Sequence, residues 1–220
     1  AKNLGHTITE LAPSLFTFKI EDVILKELSG TSFPQASLTL KVDGAKTFKQ
    51  KGPLLITHWG LSGPALLKLS AWAAREMMHA KYQAKIIVNW LGLDSQTEAE
   101  KLLKNIKDEN TRSFVANAYP TNLTKRFWAQ LLEKSEISKE KRWSDISKKE
   151  IHRIINNLFC CELDISGKSR FKEEFVECGG IHLKEINFKT MESKICPGLF
   201  FSGEVMDIDG ITGGFNFQNA

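Results

Sequence analysis

Between Leu15 and Thr57 the chain breaks into short runs of alternating apolar residues joined by connections too brief to hold a crossover helix. Leu15–Ile20, Val23–Leu28 and Ala36–Val42 read as strands, with Gly30 and Phe33-Pro34 marking the second gap. Asp43-Gly44 is a strong two-residue hairpin signal leading into Lys46–Lys49, and Leu54–Thr57 is a further apolar strand. Parallel neighbours need a dozen or more residues between strands, so these runs pair antiparallel and close into a small sheet or barrel. A parallel nucleotide-binding sheet is excluded for this part of the chain.

Beyond Thr57, His58-Trp59-Gly60-Leu61-Ser62-Gly63-Pro64 leads into a helix over residues 65–78. Ser62 is the expected N-cap and Pro64 fits the first turn. Leu66, Leu69, Trp72 or Ala73, and Met77 recur at helical spacing and form its buried stripe. Ala84–Trp90 returns as a strand. Residues 93–157 change character, with helices expected at 97–106, 111–118, 124–132 and from Ser147 or Lys148 to Leu158. They read as an all-α module inserted in a β domain. The flanking strands, Lys85–Trp90 and Phe159–Ile165, are expected to meet as neighbours, so that the module can be removed without unfolding the rest. Strands then follow at Phe159–Ile165, Phe175–Cys178 and Ile181–Ile186, with a hairpin turn at Ser166-Gly167-Lys168-Ser169.

Composition narrows the function. In 220 residues, 30 basic side chains against 26 acidic ones leave a net charge of only +4, spread along the chain, so a dedicated nucleic-acid binder is not expected. No run of 18 apolar residues occurs, and no membrane span is expected. Cys160, Cys161, Cys178 and Cys196 show no C-x-x-C and His152 and His182 no ligand spacing, which reads as reduced core thiols in a cytoplasmic protein with no metal. Two catalytic motifs are half present. Gly60-Leu61-Ser62-Gly63 lacks the last glycine of a nucleophile elbow, where Pro64 stands. Gly167-Lys168-Ser169 lacks the first glycine of a phosphate loop, where Glu162 stands.

The C-terminal stretch carries the candidate site. Leu199-Phe200-Phe201 reads as a short buried strand that breaks at Gly203 into a loop holding Glu204, Asp207, Asp209 and Asn216 among four glycines. Open α/β sheets present ligands at the carboxyl ends of such strands. A carboxylate there can accept hydrogen bonds from sugar hydroxyls, and Gly213-Gly214 lets backbone N–H groups approach a flat or anionic ligand. No residue is identified as a catalytic acid or base.

Three segments in order, Leu4–Ile8 with Pro13–Leu15, Gly52–Leu67 and Thr190–Gln218, resemble the YhiN/BaiN-like family of bacterial NAD(P)/FAD-dependent oxidoreductases. The likeness covers most of the chain and is weakest between about residues 95 and 157. It implies an α+β architecture: a small, mostly antiparallel β-barrel domain (residues 1–92 and 158–189), an inserted helical module (93–157), and the C-terminal strand and loop of an α/β FAD-binding domain (190–220). It also implies FAD as cofactor, with Gly203, Glu204, Asp207, Gly213, Gly214, Phe215 and Asn216 as its contacts, and a small-molecule substrate of unknown identity. The sequence contains no G-x-G-x-x-G pyrophosphate loop, so the resemblance implies a segment of a longer flavoprotein, inactive and without FAD on its own. In the parent the barrel would cover the flavin and shape the substrate entrance. The alternative is an interaction module in which the barrel and its basic helices contact nucleic acid or protein.

Overall fold

The structure, a computed structural model, describes residues 1–168, 176–211 and 214. Ten strands and five α-helices alternate in the order β1 (Ile8–Ser14), β2 (Phe18–Ile20), β3 (Ser32–Lys41), β4 (Phe48–Thr57), β5 (Gly60–Ser62), α1 (Pro64–Trp72), α2 (Ala74–His79), β6 (Ala84–Asn89), α3 (Gln96–Glu109), α4 (Lys125–Lys134), α5 (Lys148–Phe159), β7 (Cys161–Lys168), β8 (Val176–Ile181), β9 (Ile186–Asn187) and β10 (Glu192–Ser193) among the described residues. Six strands close a barrel in the order β2-β5-β4-β3-β6-β7, every pair antiparallel. The α+β class and the antiparallel barrel are therefore as expected.

Period-two alternation sends one set of side chains inward: Phe18 and Ile20, Leu38 and Leu40, Leu54 and Ile56, Ile86 and Val88, Leu163 and Ile165 are all buried. Asp43-Gly44 turns β3 into β4, with Leu40 opposite Phe48. Lys46–Lys49 and Leu54–Thr57, read as two strands, merge from Phe48 on into the single strand β4, because Gly52 pairs opposite Ala36 and Pro53 faces the extra residue of β3 between Phe33 and Ala36.

Several local expectations are corrected. Leu15 adopts φ 56° and ends β1, so the run Leu15–Ile20 keeps only β2 as strand. Val23–Leu25 is a 3₁₀ turn: the Asp22 side chain accepts a hydrogen bond from the Ile24 N–H, which competes with extended pairing. The helix over 65–78 is two helices, broken at Ala73 (φ −113°); its cap is Gly63, while Ser62 belongs to β5. Residues 115–117 form only a 3₁₀ turn. Ser166-Gly167-Lys168 continues β7, with Gly167 opposite Lys19, so these three residues of the expected turn are strand; Ser169 lies outside the described residues. Ile181–Ile186 gives way to a 3₁₀ turn at Leu183–Glu185. Leu199–Phe201 makes one isolated bridge, Phe200 to Glu192 beside the β9–β10 ribbon, and Phe200 is 60% exposed while Phe201 is buried.

The helices from residues 96 to 159 do not pack apart from the barrel. Phe127 of α4 lies 4.7 Å from Phe33 and 4.9 Å from Trp90, ring centre to ring centre, and closes one end of the barrel. Trp128 and Trp143 are buried and donate to the carbonyls of Val115 and Ala118. One hydrophobic core runs from Phe18 through Trp90 to Leu158. β6 and β7 do pair across the insertion, but a stump left by removing the helices would bare Trp90 and Phe33.

Outside the barrel, β1 and β8 form a two-stranded ribbon, and α2 packs on it through Ala74 against Ala12 and Cys178. A smaller core of Ile181, Ile186, Phe201 and Met206 holds the C-terminal segment. His6 ties the N-terminus to it: its Nε2 lies 2.7 Å from the Ser193 hydroxyl, and Phe201 meets its ring edge-on at 5.1 Å.

Candidate functional site

The terminal loop is seated where β8 leaves the ribbon. Gly179 (φ 100°) and Gly180 (φ 137°) use backbone conformations that side chains rarely adopt, and each lies against another chain segment. A Cβ on Gly179 would stand 2.4 Å from the Glu10 carbonyl oxygen, and one on Gly180 2.7 Å from the backbone of Val205 and Met206. With no side chain in the way, Ile181 bridges Met206 in parallel, and the Asp207 N–H donates to the Ile181 carbonyl at 3.0 Å. Met206 is buried beneath this contact, and Gly203–Val205 forms a 3₁₀ turn just before it.

The two candidate carboxylates have different surroundings. Asp207 pairs with Arg75 of α2 at 3.6 Å, and Arg75 Nε also donates to the Glu10 carbonyl at 3.3 Å. Arg75 thus joins helix, ribbon and loop. Glu204 is exposed on the 3₁₀ turn. Asp209, next along, is raised above the ordinary carboxylate range, first by partial burial and then by the charge of Asp207, with Arg75 pulling the other way. Burial likewise raises the Cys178 thiol, and it drives that of Cys161, inside the barrel, to about 12. Neither cysteine is a ready nucleophile.

Of the candidates read from the sequence, Gly203, Glu204 and Asp207 are brought together here, and Gly214 has open space around it. Gly213, Phe215 and Asn216 lie outside the described residues. Arg75 was missed; nothing in its helical spacing marks it as the partner of a residue 132 positions away.

Away from the terminal loop, a concavity of about 850 Å³ opens at the barrel mouth, lined by Ile20, Glu21, Lys26, Thr57, His58 and Arg126 among others. Asp22 and Lys134 form a half-buried pair at 2.6 Å on its rim, and Arg126 donates to the Glu27 carbonyl. His58 and the half-exposed Trp59 occupy the β4–β5 turn beside it. Ser62 pairs opposite Leu55 inside the sheet, so the partial nucleophile elbow is an ordinary strand. Among the described residues no group of His, Cys, Asp and Glu could hold a metal ion, and no helix is long and apolar enough to cross a membrane.

Comparison with known proteins adds the following. Residues 12–176 match the family described as HI0933-like protein barrel and H2TH domain. Over 99% of its length the chain is 26% identical to the ribosomal RNA dihydrouridine synthase of Escherichia coli (strain K12), covering 51% of that protein. It is 29% identical over 92% of its length to the protein of the same name from Haemophilus influenzae, covering 47%. It is 25% identical over 99% of its length to the 3-dehydro-bile acid delta(4,6)-reductase of Clostridium scindens, covering 53%. The chain spans about half the length of these curated relatives.

Proposed function

Because the chain belongs to the family of HI0933-like proteins with a barrel and H2TH domain, we propose that it is the barrel-bearing part of a cytoplasmic FAD-dependent reductase. The observation that carries this reading is the terminal loop, seated on the Gly179-Gly180 crossing and held by Arg75, which leaves Glu204 exposed while Asp207 is engaged. The donor set fits the cofactor: a ribitol chain offers hydroxyl donors, and an exposed carboxylate on a braced turn accepts them. Asp207 acts at one remove, fixing the loop through Arg75. On the same reading Gly213, Gly214, Phe215 and Asn216 supply donors towards the flavin's pyrimidine edge, where negative charge develops on reduction. Bound FAD, once reduced, supplies hydride.

The substrate class follows from the relatives' names taken as chemistry. Making dihydrouridine saturates a ring C=C conjugated to a carbonyl, and a delta(4,6)-reductase acting on a 3-dehydro bile acid saturates a C=C conjugated to the 3-oxo group. We propose the same reaction class here: hydride from the reduced flavin to the alkene carbon remote from the carbonyl, and a proton drawn from solvent to the carbon beside the carbonyl. Two of the three relatives take ribosomal RNA by name, so uracil in RNA is the substrate we favour. The test is to incubate the full-length protein, FAD and NAD(P)H with unmodified ribosomal RNA and to measure nucleoside masses. A uridine gaining two hydrogens supports the reading. A flavin that NAD(P)H reduces but that no RNA reoxidises, with all uridines unchanged, excludes RNA as substrate.

A further inference from the structure

α1 ends in a side chain that the core does not use. Ala73, at the break between α1 and α2, is wholly buried, whereas Trp72 beside it is 56% exposed. An indole held half in water on a helix end is a flat apolar face, and no aromatic ring stacks on it among the described residues. The β3–β4 hairpin rises next to it, and Lys46, Thr47, Phe48, Lys49 and Trp72 line a shallow hollow of about 340 Å³. The Lys46 ammonium lies 5.4 Å from the centre of the Phe48 ring, which holds it at the edge of the hollow. Lys68 precedes Trp72 by one helical turn on the same face.

These cations have no carboxylate partner among the described residues. Lys19, Lys51, Lys85, Lys134, Lys141, Arg75 and Arg153 all make ion pairs, whereas Lys46, Lys49 and Lys68 make none among the described residues. Asp43 and Glu76, close by in sequence, line a separate hollow with His79. An exposed aromatic face beside two lysines without carboxylate partners matches a strand of nucleic acid: every base has a face to stack, and the adjoining phosphates meet the ammonium groups. The patch is also tied to the candidate site. Arg75, three residues beyond Trp72, holds Asp207 of the terminal loop.

We propose that Trp72, Lys46 and Lys49 form a docking surface for single-stranded RNA, one base stacked on the indole and the adjoining phosphates on the lysines. This rests on the reading of RNA as substrate, but its test needs neither flavin nor turnover. Polarisation of a labelled short oligouridylate, titrated with the full-length protein over a range of salt, reads the surface directly. Trp72→Ala should weaken binding by about five- to hundredfold, and Trp72→Phe should restore most of it, because a phenyl ring still stacks. Lys46→Ala with Lys49→Ala should flatten the logarithmic salt slope by about 1.4, two phosphate contacts at about 0.7 each. Unaltered melting temperatures will show that these surface changes leave the fold intact. RNA binding that none of the variants alters overturns the proposal, as does tighter binding of a polyglutamate peptide than of RNA, which would make the patch a site for acidic protein. If the variants weaken RNA binding while no uridine is reduced, the surface stands and the substrate reading falls; if uridine is reduced with an unchanged KM in Trp72→Ala, the reverse holds.

Discussion

At the scale of single residues, the site depends on a backbone crossing and on two carboxylates with different surroundings. Gly180→Ala would put a methyl 2.7 Å from Met206 backbone atoms at φ 137°. It should cost about 1–3 kcal/mol, read as a lower urea midpoint, and should loosen the terminal loop as well. Asp207→Asn is expected to be mild by comparison, below about 1 kcal/mol, because the Arg75 pair is partly solvated. A third carboxylate gives a pH signature. Glu150 closes the capping box of α5, and its hydrogen bond from Lys141, then those from Ser147, lower it from the ordinary 4.5 to about 2. A carboxyl depressed in the folded state contributes stability above its unfolded pKa and loses it as pH falls towards the folded one. Stability should therefore fall by about 1–3 kcal/mol between about pH 5 and pH 2 from this group. Glu150→Gln should flatten that part of the profile in urea titrations.

At the scale of elements, α4 is part of the barrel's core. Phe127→Ala should destabilise by about 3–5 kcal/mol, since the cavity would open between Phe33 and Trp90. Replacing residues 93–157 by a short turn should abolish the cooperative unfolding transition; a sharp transition in that deletion would show the helices to be separable after all. Barrel strands were legible where alternation was clear, as in β6 and β7, and where the Asp43-Gly44 turn joined two of them, as in β3 and β4. Helices were legible where Ser95, Thr124 and Ser147 cap them. Apolar content misled where geometry is set by a neighbour: at Val23–Leu25, capped by Asp22, and at Leu199–Phe201, which bridges β10 at a single residue, Phe200. The helical stripe left Trp72 and Ala73 undecided because both fall near one face. Only packing distinguishes a buried alanine from an indole turned outward.

At the scale of the whole molecule, the barrel, its helices and the ribbon form a scaffold from which the terminal loop is presented. Gly203, Glu204 and Asp207 stand as candidates on the sequence because a Gly/acid loop and a family resemblance coincide there. The bracing by Arg75, Glu10 and Gly180 could not, since it joins positions far apart in the chain. The chain covers about half of its curated relatives, so the decisive measurement belongs to the full-length protein. FAD dissociation should be measured well below the melting temperature for the wild type and for Glu204→Ala. The account predicts about ten- to hundredfold weaker binding in the folded variant, the loss of a hydrogen bond to a charged acceptor. Unchanged affinity in folded Glu204→Ala would contradict it and take the terminal loop's free carboxylate out of the cofactor site.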